Sequence, residues 1–189
     1  MQPATPQGAP PTAPPTVVTA GPSVPSIGPQ APTPDTSRTK ALADRLTAAF
    51  PSAKVDYARE RRLKVTLPPA DIKAAATFAR DSLGFDHIEA VAGTDYPATG
   101  EFEVVYFAGS LSTREQQDLV IQLAERVKRD EPTVPSLVDV WPGAEYHERE
   151  AFDMLGLKFD GHPDLRRLLL PEDWDDLPPL RKDYNSPGR

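Results

Sequence analysis

The chain contains no cysteine. Disulfides and iron–sulfur clusters held by its own thiolates are therefore excluded, and a structural zinc site loses its commonest ligand. Long apolar stretches are missing too. The longest run, Val104 to Ala108, is far short of the roughly 20 residues a membrane-spanning helix needs. The N-terminus has neither a basic n-region nor an apolar h-region, so the chain reads as a soluble, cytoplasmic protein. Basic residues are in deficit: 21 Lys and Arg stand against 28 Asp and Glu, giving a net charge of −7 and a pI near 5.0. Nucleic acid is a poor partner for such a chain, because phosphate binding needs a surplus of cations on one face. Neither GxGxxG nor GxxxxGK[ST] occurs, so nothing supports a phosphate-cradling loop. Ser110, Ser112 and Ser136 lack a GxSxG setting, which leaves a serine hydrolase without support.

The 189 residues and 39% hydrophobic content suffice for one ordinary domain with an appendage. Residues 1–35 hold nearly half of the 23 prolines, a single charged side chain (Asp35) and no aromatics. Such a stretch cannot bury enough apolar area to offset its ordering entropy, so a disordered Pro/Ala/Thr-rich extension is expected.

Thr36 or Ser37 can cap a first helix, whose Leu42, Leu46, Ala49 and Phe50 recur at helical spacing until Pro51. Lys54 to Tyr57 and Arg62 to Leu67 alternate polar and apolar side chains like two strands of a hairpin. A second helix is expected over Ala70 to Leu83, with Ile72, Ala75, Ala76, Ala79 and Leu83 on one face and Gly84 as its left-handed cap. His87 to Ala92 and Glu101 to Ala108 are the next strands, joined by a turn-rich Gly93 to Gly100; aromatics Phe102, Tyr106 and Phe107 suit a sheet. In Asp118 to Arg129, Leu119, Ile121 and Leu123 alternate as in a strand while Leu119, Leu123 and Val127 also fit a helix; a strand is expected. The elements describe an α+β fold: a mixed, mainly antiparallel sheet with helices packed on it, over residues 36–140, then a helix-and-turn region over 141–170 and an extended C-terminal arm over 171–189.

The run from Trp141 to Tyr184 concentrates acids, bases, aromatics and turn residues. His147-Glu148-Arg149-Glu150-Ala151 begins like the helical zinc-protease motif, but Ala151 stands where the second histidine must be. His87, His147 and His162 fall on different elements, and His162 lies in a Gly-His-Pro turn where local hydrogen bonding is the ordinary role. Glu148 and Glu150 diverge by about 200° around a helix, so they do not form a facing acid–base dyad. A helix over Ala144 to Leu155, stopped by Gly156, gathers Ala144, Ala151, Phe152 and Leu155 on a face that includes Glu148. A carboxylate there must find a partner, and Arg166 and Arg167 are the nearest candidates in sequence. Beyond Leu170, four prolines and no helical period predict an extended tail. Trp174, Leu177, Leu180 and Tyr184 would anchor it on another protein, and Arg181 and Lys182 would reach that partner's carboxylates or carbonyls.

These segments resemble the thirty-kilodalton subunit family of respiratory complex I, the bacterial NADH-quinone oxidoreductase. The resemblance is carried by Glu148-Arg149-Glu150, Asp153-Met154-Leu155-Gly156, Gly161-His162-Pro163-Asp164-Leu165-Arg166-Arg167 and Pro171-Glu172-Asp173-Trp174. Pro132 to Ser136, Trp141 to Ala144 and the closing Pro179-Leu180-Arg181-Lys182-Asp183-Tyr184 also match, although Asp176-Leu177-Pro178 stands where the family usually has Gly-His. The resemblance implies a scaffolding subunit of the peripheral, quinone-reducing arm of a proton-translocating complex, at the cytoplasmic face of the bacterial membrane. It would dock on the large quinone-site subunit and near the iron–sulfur subunits, and would meet the membrane only through the complex. FMN and the Fe–S clusters would sit on those partners, with no cofactor, metal or catalytic residue in this chain. The expected docking residues are Glu148, Arg149, Glu150, Asp153, His162, Asp164, Arg166, Arg167, Trp174, Arg181, Lys182, Asp183 and Tyr184. Two rivals stand beside it: the homologous small subunit of a membrane-bound hydrogenase-type complex, and a free-standing enzyme using Glu148, Glu150 and His162.

Overall fold

The computed structural model describes residues 35–186, so the disordered extension expected over residues 1–35 lies, Asp35 apart, outside them. Helix α1 (Ser37–Ala49) turns Leu42, Ala43 and Leu46 inwards and stops before Pro51. Thr36 occupies its N-cap position but makes no side-chain cap; the Asp35 carboxylate accepts the Ser37 N–H instead, at 2.9 Å. Strands β1 (Lys54–Ala58) and β2 (Arg62–Thr66) form the expected antiparallel hairpin. Helix α2 (Pro69–Asp81) begins on a proline, whose fixed φ suits the first turn, and buries Ile72, Ala75, Ala76 and Ala79.

Strand β3 (His87–Tyr96) runs four residues further than the sequence suggests. Gly93, Thr94 and Asp95 look like turn formers, but each pairs with β4 (Glu101–Gly109) through the unbroken register Gly93↔Val104 to Tyr96↔Glu101. The glycine is there for space: a Cβ on Gly93 would collide with Leu155 Cδ1. Only residues 97–100 remain as the turn.

The stretch that fits either period is β5 (Val120–Lys128). It enters the centre of a five-stranded sheet of order β1-β2-β5-β4-β3, parallel to β2 and antiparallel to β4. Central pairing on both edges decides for strand over helix. Two three-residue strands, β6 (Thr133–Pro135) and β7 (Lys158–Asp160), pair in parallel as a separate ribbon. They are too short to show any periodicity, and nothing in the sequence pattern announces them. Between them lies α3 (Ala144–Leu155), ended as expected by Gly156 in the left-handed region, φ 77°. A residue with a Cβ would be strained there.

Residues from all three helices and from one face of the sheet make a single core around Trp141, Tyr106, Phe85 and Phe102. The Trp141 indole N–H donates to the Phe85 carbonyl at 2.9 Å, fixing the chain just before α3. Among the described residues no helix is long and apolar enough to cross a membrane.

Candidate functional site

Helix α3 sorts its charged residues by face. Glu148 points into the core and is fully buried. Its Oε1 accepts from the Tyr106 hydroxyl at 3.1 Å and from the Leu137 N–H at 2.8 Å, and its Oε2 accepts from Ser136 Oγ at 2.7 Å. Three neutral donors hold this carboxylate. Burial raises its pKa, and the Leu137, Ser136 and Tyr106 donors oppose that rise. Arg166 and Arg167, the partners expected for Glu148, do not bond to it. They lie against another face of α3, beside Arg149 and Asp153, and a backbone amide and two hydroxyls do their work.

One position on, Arg149 and Asp153 share that other face, four residues apart. The Arg149 guanidinium donates to the carbonyls of Arg166 and Arg167, at 3.1 and 3.0 Å. Asp153 Oδ2 accepts the N–H groups of Leu168, Leu169 and Leu170, at 2.7, 2.7 and 3.3 Å. A cation takes carbonyls and an anion takes amides, so one helix face grips five consecutive residues by their backbone. The Asp153 side chain is wholly buried, and the Arg167 guanidinium lies 3.6 Å from its Oδ1. Arg167 also donates to the Trp174 carbonyl at 3.0 Å, which carries the grip into the arm.

The other residues expected here divide clearly. His162 sits in its turn with Nδ1 accepting the Asp164 N–H at 3.0 Å, the local bond expected there, and its Nε2 also reaches the Glu145 carbonyl of α3 at 3.2 Å. Asp164 pairs with Arg166 at 2.8 Å, and Arg166 is the most exposed of these side chains, 75% accessible. Glu150 is exposed while Glu148 is buried, the divergence that helical geometry requires.

The described part of the arm carries no helix or strand and passes through turns. It returns to its own domain. Leu180 N–H donates to the Met154 carbonyl at 2.9 Å, and Lys182 N–H donates to Asp95 Oδ2 at 2.8 Å. Arg129 donates to the same Asp95 oxygen at 3.1 Å and lies 3.0 Å from Asp183. The guanidiniums of Arg129 and Arg181 both stand over the Phe102 ring, at 5.7 and 5.6 Å. Trp174 and Tyr184 close on each other with centroids 6.2 Å apart. So Arg181 to Tyr184, expected to need another protein, find intrachain contacts, made mainly by Asp95 and Arg129. Neither residue stands out in the sequence, because Asp95 looks like a turn residue. Its place opposite Phe102 becomes visible only once the β3–β4 register is known.

The fold defines a class first. The chain superposes on a chain of an archaeal membrane-bound sulfane sulfur reductase, a respiratory membrane complex, with a TM-score of 0.68 and 24% identity over 78% of this chain and 86% of that one. It also superposes on a trypsin-resistant fragment (1–134) of Nqo5, with a TM-score of 0.57 and 27% identity over 68% of this chain and 99% of that one.

Sequence comparison is more specific. The family described as the respiratory-chain NADH dehydrogenase 30 Kd subunit matches residues 65–189. The C subunit of NADH-quinone oxidoreductase from Roseiflexus sp. (strain RS-1) is 46% identical over 144 residues, 74% of this chain and 80% of that protein. The C subunit of the F(420)H(2) dehydrogenase from Methanosarcina mazei is 35% identical over 149 residues, 78% of this chain and 92% of that protein. This chain belongs to the 30-kDa subunit family of respiratory-chain NADH dehydrogenase.

Proposed function

We propose that this chain is the 30-kDa subunit of a proton-translocating NADH:quinone oxidoreductase, a non-catalytic scaffold of the peripheral arm at the cytoplasmic face of the membrane. It docks on the large quinone-site subunit and beside the Fe–S subunits. NADH oxidation at FMN, electron transfer through the clusters and quinone reduction take place on those partners, and the complex alone brings this chain to the membrane. The observation that carries this reading is the backbone grip of Arg149 and Asp153 on residues 166–170. Arg149 and Asp153, two of the buried charges of α3, are thus engaged in positioning a surface segment. The held segments present Leu169 and Leu180, 59% and 57% exposed; Arg166 is exposed in the same segment as Leu169, and Glu150 lines one groove with Leu180. Exposed leucines with flanking charges of both signs suit a protein interface with an apolar centre and a polar rim.

Co-purification from native membranes tests this: the flavin, Fe–S and quinone-site subunits are expected with the tagged chain. Recovery alone, or turnover or stoichiometric metal in the isolated chain, would overturn it. A second reading is supported by the 35% identity to the F(420)H(2) dehydrogenase protein, in which the same scaffold serves a complex with another electron donor. The input subunit that co-purifies separates the two.

A further inference from the structure

One buried acid has no part in the grip. Glu125 lies on β5 opposite Val104 of β4, with no exposed surface, and both its carboxylate oxygens lack a hydrogen-bond partner among the described residues. Side chains alternate along a strand, so Glu125 shares the helix-covered face with Leu123, and Leu123 is the register partner of Tyr106. Tyr106 in turn donates to Glu148 of α3. The two glutamates thus reach the same core patch from opposite sides, one from the sheet and one from the helix. Helix α2, also packed on β5, turns in Ile72, Ala75, Ala76 and Ala79, none of them titratable. The ionisable groups around the patch are Glu148, the Tyr106 hydroxyl and, acting on Glu148 from the turn after β7, His162.

Two negative charges cannot both be held in a dry core without cations. Glu148 has three donors, which favour its ionised form, and Glu125 has none. We propose that Glu125 and Glu148 form a buried acid pair holding one proton and one negative charge, with the proton on Glu125, and that α3 unseats from the sheet with release of that proton. Because α3 also carries Arg149 and Asp153, unseating frees residues 166–170 as well. The pair is a proton-linked latch beneath the docking segment, and it stands whichever complex the chain serves.

Burial, and then the charge on Glu148, push the Glu125 pKa from 4.5 to about 8. In the open form the carboxyl returns to the ordinary range. Opening therefore becomes about tenfold more frequent with each pH unit between those two values. Above the upper value the closed form has also lost its proton, and the dependence levels off.

The test uses the full-length chain. Infrared spectroscopy at about pH 6.5, between the open-form and closed-form pKa values, should find a protonated carboxyl band. The band should titrate at about pH 8 and be missing in Glu125→Gln. Amide exchange in α3 and residues 166–170, corrected for intrinsic base catalysis, should rise about tenfold per pH unit across the same window, and should be flat in Glu125→Gln. Should that variant fail to fold, Glu148→Gln serves: removing the like charge must lower the pH at which the band is lost. A carboxyl band that titrates in the ordinary range of an exposed glutamate, or that survives in Glu125→Gln, overturns the pair. Equal pH slopes in the amides of β4, β5 and α3 overturn the seating of α3 as the step that opens.

Discussion

The sheet domain and the segment after α3 are ordered by different physics. In the first, apolar side chains of three helices interlock with one sheet face, and stability is spread over many contacts. In the second, which buries little of its own, order depends on a few charged side chains: Arg149 and Asp153 on the backbone of residues 166–170, Asp95 on the Lys182 N–H, and Arg129 on the Asp183 carboxylate. A distributed core degrades gradually when one residue changes. A segment held by single carboxylates is held or released, so it can be a docking surface ordered in advance and still come loose without the domain unfolding.

The hardest test of that contrast is Leu123→Ala in the core. It should lower the stability of the whole described chain by about 2–5 kcal/mol, measured by denaturant unfolding, with sheet and arm lost in one transition. If the arm melts first and the sheet is untouched, Leu123 does not join them. Asp153→Ala should be next in size and purely local. Removing the acceptor of three N–H groups costs residues 166–170 about 1.5–3 kcal/mol, read as faster amide exchange there and quicker trypsin cleavage after Arg166 and Arg167, while the sheet unfolds at its usual denaturant concentration. Equal loss in both regions would erase the distinction.

Asp95→Asn should have a smaller effect, about 1–2 kcal/mol, because Arg129 keeps Asp183. Faster exchange should then be confined to residues near Lys182, and exchange at 166–170 should not change. Arg166→Ala should move stability least, within about 0.5 kcal/mol, yet weaken recovery of partner subunits. Normal assembly of that variant would remove Arg166 from the docking surface. Glu148 belongs with the core in this series, since its loss would strand the Leu137 N–H and two hydroxyls inside the protein.

Periodicity makes most of the sheet domain legible. Leu42 and Leu46, the Ile72 to Ala79 face and the alternation in β1 and β2 each imply a face that must be buried, and the structure buries it. Residues with local turn propensity mislead where tertiary pairing overrides them. Gly93 and Asp95 look like a loop until β4 pairs with them, and β6 and β7 carry no pattern because three residues cannot show one. The signature helix is legible as a helix and Glu148 as its inward charge, but the identity of its partners is not. Hydroxyls and backbone amides leave no charge pattern to find, which is why the nearest arginines look like the natural partners. Asp153 and Arg149 are visible as motif residues, whereas their grip on backbone depends on how the chain returns after the Gly161-His162-Pro163 turn.

The parallel pairing of β2 with β5 also sets the order in which the sheet can close as the chain emerges from the ribosome. The hairpins β1–β2 and β3–β4 emerge first, but neither can join the other until β5 arrives to lie between them. Until then each half-sheet shows an unpaired inner edge, so a chain truncated before Val120 should be prone to self-association. The long-range closure of Arg62 on Val120 should set the folding rate.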